Sequence, residues 1–239
     1  MVHPPATRPA VFCDFDGTFS QKDVGSTLAQ EYLSGRRKGL QQRFERGEIG
    51  AWDYALELFE GFEFAPDKLD AFLSTVALDP GAAALVAWCE ACSVPFQILS
   101  DGFDYNLQRL QEIHGVDFAF AANRLSFVAD RWKIEPGGLN PDCDCGTGNC
   151  KRAIIEAYRH DHQGAYCIHV GDGRVSDQCA AEAADLVFAK GTLAEALGAR
   201  GIHYRAFDTL EDVRAELESS FGPKFSPAGA PLPSDKVRR

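Results

Sequence analysis

The chain has 239 residues, of which 45% are hydrophobic, and a formal net charge of -11. This length allows one sizeable core with a small second domain, and no apolar run approaches the roughly 18 residues needed to span a bilayer. The acidic balance argues against a nucleic-acid backbone or an anionic membrane surface as a partner. Because Met1–Pro9 lacks the apolar stretch of a signal peptide, we expect a cytoplasmic protein.

Two carboxylates follow the first predicted strand. The apolar run Pro9–Cys13 leads directly into Asp14, and Asp16 follows after one residue, ahead of Gly17. Open α/β sheets place ligands at the carboxyl ends of their strands. Two acids there need a cation or a hydrogen-bond network to offset their burial, and a hard divalent ion suits oxygen ligands. Alone, the pattern Asp-x-Asp-Gly is equally typical of a turn.

Three later segments place polar groups at the ends of predicted strands or at the start of a helix. They are Ser100-Asp101-Gly102 after the strand Phe96–Leu99, Lys151 at the start of a helix, and Asp172 with Asp177 after the strand Ala165–Val170. Lys151 there opposes the helix macrodipole. Either it is a solvated surface lysine, or the lysine and the helix N-terminus together attract one anion.

Strands that alternate with helices predict a doubly wound parallel sheet in an α/β fold. Between the first two strands the patterns are helical only, so we predict a helical insertion over 20–79 and a sheet core over 1–19 and 80–221. Ala121 to Glu135 predicts a β-hairpin with its turn at Asp130-Arg131. Asn149 and Ser176 are predicted helix N-caps. The stretch 222–239 is rich in Pro, Ser and terminal Lys/Arg, and is predicted to be a disordered tail.

Eight cysteines in a chain of this size without a signal peptide predict mostly reduced thiols. Three are predicted to be small core residues: Cys13, Cys167 and Cys179. Three others crowd the loop before Lys151: Cys143, Cys145 and Cys150. These three thiols could bind zinc, but the sequence shows no fourth ligand and no paired Cys-x-x-Cys spacing. A reduced or redox-sensitive loop is therefore favoured over a structural metal site.

The polar residues, taken together in their chain order, resemble the haloacid dehalogenase (HAD) superfamily of aspartate-nucleophile phosphohydrolases. The parts that match are the acid pair Asp14 and Asp16, the hydroxyl of Ser100, Lys151, and the second acid pair Asp172 and Asp177. The resemblance spans roughly Val11 to Lys190. It implies a Rossmann-like core with a helical cap of the C1 type, which closes over the active site and selects the substrate.

The resemblance also implies a role for each matching residue. Asp14 would attack phosphorus to form an aspartyl-phosphate, and Asp16 would protonate the leaving oxygen and later deprotonate the attacking water. Mg²⁺ is the implied cofactor, and its ligands would be the carboxylates of Asp14 and Asp172 and the backbone carbonyl of Asp16, with Asp177 acting through a bound water. The substrate phosphate would be bound by Thr18, Ser100, Asp101, Gly102 and Lys151.

Asp16 disfavours the dehalogenase branches, which lack this acid, and the motifs look most like the phosphoserine-phosphatase-like subclass. Within it, the chain is similar to the methionine-salvage phosphatases called MtnX-like, which act on 2-hydroxy-3-keto-5-methylthiopentenyl 1-phosphate, and to phosphocholine/phosphoethanolamine phosphatases. It departs from phosphoserine phosphatase proper, which has Glu where Asp23 lies and a Ser-Gly-Gly motif where this chain has Ser100-Asp101-Gly102. That departure disfavours phosphoserine as the substrate.

Two further acids are candidates for substrate specificity. Asp23 and Asp104 could contact a cationic head group or a polyol, and loop or helix capping is an equal alternative for both.

The expected partner is a small-molecule phosphate ester, and the sequence leaves the oligomeric state open. The non-enzyme alternatives are a phosphoacceptor domain and a binding protein on the HAD fold. A phosphoacceptor needs neither a cap nor Asp16.

Overall fold

A seven-stranded sheet forms the centre of the computed structural model, which describes residues 9–60 and 62–225. The strands are β1 Pro9–Asp14, β2 Phe96–Phe103, β3 Ala119–Val128, β4 Arg131–Glu135, β5 Tyr166–Gly171, β6 Leu186–Ala189 and β7 Arg205–Ala206. Their order is β4-β3-β2-β1-β5-β6-β7, with parallel pairing except between β3 and β4. The predicted doubly wound α/β fold is confirmed. The predicted hairpin is also present, but its turn lies at Ala129-Asp130, one residue before the predicted position, and Arg131 already belongs to β4.

Helices fill the connections between the strands. They are α1 Val24–Tyr32, α2 Ser34–Glu45, α3 Ala51–Phe59, α4 Pro66–Leu73, α5 Ala82–Ala91, α6 Asp104–His114, α7 Lys151–Asp161, α8 Arg174–Ala183, α9 Gly191–Ala199 and α10 Leu210–Phe225. The first four lie between β1 and β2 and form the helical insertion. Among the residues described, no helix combines the length and the apolar content needed to cross a membrane.

The central strand β1 is buried on both faces. Ala10 and Phe12 belong to an apolar cluster with Ile155 of α7, whereas Val11 and Cys13 belong to the large cluster that includes α5, α10 and the inserted helices. This alternation follows from the two-residue period of a strand. Full burial of one large apolar side chain stabilises the fold by about 1.5 to 3 kcal/mol before entropy is counted. The packing on both faces therefore holds β1, and with it Asp14 at the end of the strand, in place between the two layers of helices.

The helical insertion enters and leaves the core through a narrow neck. Ser20 forms an antiparallel bridge with Leu78, and the backbone N–H of Asp79 donates to the Phe19 carbonyl over 2.8 Å. The two chain segments that connect the insertion to the sheet are thus hydrogen-bonded to each other. Beyond the neck, apolar side chains of the four helices continue the large core cluster: Leu28, Leu40, Leu58, Leu69, Phe72 and Leu73.

Several predicted boundaries were wrong. Strand β2 continues beyond Leu99 to Phe103, with a shift in its register against β3. Helix α8 begins at Arg174, so Ser176 lies within its first turn and does not cap it. Asn149 does not cap α7, because its side-chain amide donates to the carbonyls of Ser100 and Ala121 over 2.9 Å each.

The last helix is also longer than predicted. It passes the expected tail boundary at Gly222 and ends at Phe225. The rest of the predicted tail, 226–239, lies outside the described residues.

Candidate active site

The turn after β1 brings two acids to the carboxyl edge of the sheet. Asp14 ends the strand, and the chain then forms one irregular turn, Phe15–Phe19, in which Gly17 has a φ of +85°. A Cβ at Gly17 would lie 2.6 Å from Oδ2 of Asp172. A side chain is therefore excluded by the close approach of Asp172 as well as by the left-handed backbone.

Lys151 lies between two carboxylates at the start of α7. Its buried ammonium donates to Oδ1 of Asp14 and, over 2.5 Å, to Oδ1 of Asp177. Oδ2 of Asp177 accepts from the backbone N–H groups of Asp172 and Gly173, over 3.2 and 2.9 Å. Asp177 thereby joins the start of α8 to the start of α7 and to the end of β5.

Burial and charge shift the pKa values of this group in opposite directions. Burial, and then the nearby charge of Asp177, raises the pKa of Asp14 well above its usual value, against the effect of Lys151. Burial would also raise the pKa of Asp177, but the charge of Lys151 and a contact with His169 outweigh it and lower that pKa. The two acids therefore differ strongly in their affinity for a proton.

Asp16 is held by groups from two other elements. Its Oδ1 accepts from the backbone N–H of Val24, the first residue of α1, over 2.7 Å. Its Oδ2 lies 3.3 Å from the donating hydroxyl of Ser100, and that hydroxyl accepts from the Gly102 backbone N–H over 2.9 Å. Burial, followed by the charge of Asp23, raises the pKa of Asp16 to about 7.

Two of the predicted phosphate-binding residues have side chains engaged elsewhere. The buried hydroxyl of Thr18 donates to Oδ1 of Asp172 over 2.9 Å, so it orients that acid and is not free for a phosphate oxygen. Oδ1 of Asp101 accepts from Nδ2 of Asn123 and from the Asn149 backbone N–H, each over 3.2 Å. The Asp101 side chain therefore fastens β2 to β3 and to the loop before α7.

The two specificity candidates lie in different places. Asp23 lines the cavity described below and also caps α1, since its Oδ1 accepts from the Ser26 backbone N–H over 2.6 Å. Asp104 is not among the cavity-lining residues described. Its Oδ1 accepts from the Leu125 backbone N–H over 2.8 Å, which links α6 to β3. The structure therefore does not bring Asp104 to the site.

A cavity of about 950 Å³ lies between the acid-rich sheet edge and the helical insertion. Asp14, Asp16, Ser100 and Asp172 form its floor. The insertion contributes an apolar wall, which includes these residues: Val24, Ala29, Phe44, Ala55, Leu58 and Phe59. Polar groups in the same wall are Asp23, Arg37, Gln41 and Tyr54. The cavity can hold a small molecule with one charged end and one apolar end.

The floor of the cavity has the donor set of a hard-cation site. Carboxylate oxygens of Asp14, Asp172 and Asp177 all lie within 4.8 Å of one another. Burial and the charge of Asp177 raise the pKa of Asp172. The hydrogen bond from Thr18 acts in the opposite direction and does not cancel this rise. This crowding of oxygen ligands, with one lysine to balance three acids, fits a divalent ion such as Mg²⁺.

Two residues of the site region are not among the predicted site residues. His169 is fully buried in β5, and its Nε2 lies 3.3 Å from Oδ1 of Asp177. Arg37 is a cavity-lining cation from α2, and it donates to the Ser26 hydroxyl over 3.0 Å. His169 follows the alternation of a buried strand, but Arg37 lies in a polar helix whose sequence pattern indicates no preferred face.

Comparison with known proteins places this geometry in a family. The sequence profile of the haloacid dehalogenase-like hydrolases matches residues 11–182. The chain therefore belongs to that family. Among its solved structural neighbours, a phosphoserine phosphatase with a phospho-aspartyl intermediate analogue aligns with a TM-score of 0.66 and 18% identity, covering 88% of this chain and 99% of the other. This likeness confirms the fold.

Relatives of known name indicate which class of enzyme within this family the chain resembles. The 2-hydroxy-3-keto-5-methylthiopentenyl-1-phosphate phosphatase of Brevibacillus brevis is 27% identical over 85% of this chain and 92% of its own length. The enzyme of the same name from Exiguobacterium sibiricum is also 27% identical, over 88% of this chain and 96% of its own. The chain is a HAD phosphatase, and the expectation of a phosphoric monoester hydrolase is confirmed.

Proposed function

We propose that this phosphatase hydrolyses 2-hydroxy-3-keto-5-methylthiopentenyl 1-phosphate. The observation that carries the proposal is the cavity, which joins an acid-rich floor to an apolar wall. A phosphoryl group suits the floor near Lys151, and a methylthio end suits a wall that contains Leu58 and Phe59. Arg37, Gln41 and Tyr54 supply hydrogen-bonding groups for the hydroxyl and keto oxygens between the two ends. Two similar relatives bear the name of this activity.

The proposed reaction begins with attack by Asp14. A carboxylate oxygen of Asp14 forms a bond to phosphorus while the bond from phosphorus to the ester oxygen breaks, and Asp16 gives its proton to the departing oxygen. Asp16 then removes a proton from water as the water oxygen bonds to phosphorus. The bond between phosphorus and the Asp14 oxygen breaks in this step, and inorganic phosphate and the original Asp14 carboxylate are produced.

Lys151 stabilises the charge that develops on the transferring group, and Ser100 does the same once its hydroxyl turns from Oδ2 of Asp16, 3.3 Å away, to a phosphoryl oxygen. Lysine has three ammonium hydrogens, and two of those on Lys151 are directed at Asp14 and Asp177. We propose that the third is donated to a phosphoryl oxygen of the bound substrate. Groups of this kind, aimed at developing charge, contribute about 3 kcal/mol each to lowering the barrier.

We assign Mg²⁺ as the cofactor, with Asp14 and Asp172 as carboxylate ligands, Asp16 as a carbonyl ligand and Asp177 as a supporting acid. Bound there, the ion neutralises negative charge on the phosphoryl oxygens and on the carboxylates. Thr18 orients Asp172 through its 2.9 Å hydrogen bond, and Lys151 reduces the repulsion between Asp14 and Asp177.

The helical block 20–79 is proposed as the cap, and 1–19 with 80–221 as the catalytic core. The support is positional, because the cavity lies between the two and residues of α1, α2 and α3 form its wall. The hydrogen bond from the Val24 N–H to Asp16 joins the first cap helix directly to the proposed acid.

The test is a comparison of kcat/KM for phosphate esters of different head groups. The substrates are the methylthiopentenyl phosphate, phosphocholine, phosphoethanolamine, phosphoserine and a sugar phosphate. We expect the first to be preferred by at least about tenfold, which corresponds to about 1.4 kcal/mol. Preference for phosphocholine would instead favour the alternative suggested by Asp23 in the cavity wall, and would contradict the proposal.

Arg37→Met tests whether this cation of the cavity wall contributes to substrate binding. It should raise KM for the methylthiopentenyl ester because a hydrogen-bond donor is lost, with little change in kcat. Arg46→Met is the control, since Arg46 is an exposed cation that follows α2 and pairs with Glu48. An unchanged KM in Arg37→Met would remove Arg37 from the proposed recognition of the substrate oxygens.

A further inference from the structure

Four cysteine thiols meet beside the start of α7, outside the cavity. Sγ atoms of Cys143, Cys145, Cys150 and Cys179 all lie within 4.8 Å of one another, and no disulfide joins them. Sequence reasoning assigned Cys179 to the core and found no fourth ligand for the other three. Cys179 is buried as predicted, and the packing of α8 against α7 also brings it to the loop, where it supplies a fourth thiol.

The spacing of the sulfurs fits one tetrahedral metal ion. A zinc–sulfur distance of about 2.3 Å places the four sulfurs of a tetrahedral site about 3.8 Å apart. The observed group reaches that geometry by contracting by less than about 1 Å. A four-thiolate donor set selects zinc or iron over the hard cation that suits the oxygen ligands of the cavity floor.

Hydrogen bonds to the sulfurs distinguish this group from a simple apolar cluster. The side-chain amide of Asn140 donates to Sγ of Cys150 over 3.5 Å, and the Thr147 hydroxyl lies within hydrogen-bond distance of Sγ of Cys145, at 3.3 Å. The turn that permits the second bond contains Gly146 in the left-handed region, with a φ of +61°. Such donors stabilise a thiolate, and a thiolate is the form that binds metal.

The cluster connects three parts of the molecule. Cys150 immediately precedes Lys151, and Cys179 follows Asp177 by two residues, so the sulfurs lie beside the two helix starts at which Lys151 and Asp177 pair over 2.5 Å. In the same loop, the Gly146 carbonyl accepts from the Trp52 N–H at the start of α3 over 2.8 Å. A cross-link at the sulfurs would therefore brace both the phosphate-binding lysine and one helix of the insertion.

We propose that Cys143, Cys145, Cys150 and Cys179 form a structural zinc site. The ion has four protein ligands and no open position, so it is distinct from the cavity-floor site and does no chemistry on the substrate. Its binding requires the thiols to lose their protons, and its contribution is to fix the loop before α7 against α8. This inference does not depend on the identity of the substrate.

Metal analysis of the full-length protein tests the proposal. Protein purified without chelators from cells grown with zinc should contain one zinc per chain by mass spectrometry. Replacement by Co²⁺ should give the intense visible bands and the near-ultraviolet thiolate charge-transfer band of tetrahedral sulfur coordination. Neither readout uses phosphatase activity, so failure of the proposed function would leave the result intact.

Single cysteine variants locate the site. Cys145→Ser and Cys179→Ser should lose the stoichiometric zinc and the cobalt bands, whereas Cys92→Ser should keep both, because Cys92 lies outside the cluster at the end of α5. Circular dichroism of each variant reports whether it is folded.

Three results with the native protein would overturn the assignment. The first is a zinc-free native protein that gives no cobalt bands. The second is one bound iron in place of zinc. The third is a non-reduced mass that shows disulfides among the four cysteines. Full zinc occupancy in Cys179→Ser would exclude Cys179 as a ligand and contradict the four-thiolate site.

Discussion

Asp16, the proposed general acid, is held by neighbours from distant parts of the chain. Its two oxygens are held by the Val24 N–H and the Ser100 hydroxyl, over 2.7 and 3.3 Å. The first contact comes from the helical insertion and the second from β2. A carboxyl group fixed in this way can transfer a proton without reorienting, which is the requirement for general acid catalysis.

Asp16→Asn should slow the hydrolysis of esters with a basic leaving oxygen more than the hydrolysis of esters with a weakly basic one. With an alkyl phosphate, we expect kcat/KM to fall by about 10² to 10⁴, the usual contribution of a general acid. With an aryl phosphate whose phenol is strongly acidic, the loss should be much smaller. The measurement is a series of esters that differ in leaving-group pKa.

Asp14→Asn is the control for this series, because it removes the nucleophile and should inactivate the enzyme toward every ester. Equal slowing of alkyl and activated aryl esters by Asp16→Asn would show that Asp16 does not act as the acid.

At the scale of elements, the bulged end of β2 depends on one carboxylate. Asp101 accepts from Nδ2 of Asn123 in β3 and from the Asn149 N–H before α7. Burial outweighs these bonds and raises the pKa of Asp101 to about 6. The protonated form is thus favoured more in the folded chain than in the unfolded chain, so this group makes folding less favourable as the pH rises from about 4 to about 6.

Asp101→Asn should remove that pH dependence, because the amide keeps an acceptor oxygen and cannot ionise. Relative to the variant, the parent chain should gain up to about 3 kcal/mol of unfolding free energy when the pH falls from about 7 to about 4. Urea unfolding of both proteins at the two pH values measures the difference. Parallel pH profiles for parent and variant would show that Asp101 is ionised equally in both states.

Local sequence patterns predicted the polar residues at strand and helix ends. Each of these residues directly follows an apolar run or begins a helical pattern, so a few neighbouring positions are enough to recognise it. The structure brings Asp14, Asp16, Ser100, Lys151 and Asp172 together as those patterns predicted. The bonding partners could not be predicted in the same way. Thr18 bonds Asp172, 154 positions away, and Cys179 joins the loop cysteines only because α7 packs on α8. Such pairings depend on tertiary packing.

For the whole molecule, the concentration of acids at the sheet edge predicts a stability that depends on Mg²⁺. Binding to the folded chain alone adds about 2.7 kcal/mol when the ion is present at 100 times its Kd. For a chain of this size, that gain raises Tm by about 5 to 10 °C. We expect the rise in differential scanning calorimetry on adding MgCl₂, compared with NaCl of equal ionic strength.

Asp172→Asn should abolish most of the Mg²⁺-dependent rise because it removes one charged ligand. Asp130→Asn is the matched control, since Asp130 is an exposed acid in the turn between β3 and β4. The same rise in Asp172→Asn as in the parent protein would mean that the ion binds elsewhere.

The neck formed by Ser20 and Leu78 has a consequence for how such enzymes diversify. Because both attachment points lie side by side on one bridge, we expect that the intervening helices can be exchanged while the two chain segments that join them to the sheet stay in place. Recombination or grafting at this point would give a new pocket wall to an unaltered reaction centre. The connecting bond from Val24 to Asp16 limits that freedom, since every transplanted block must bring a backbone donor to the same carboxylate.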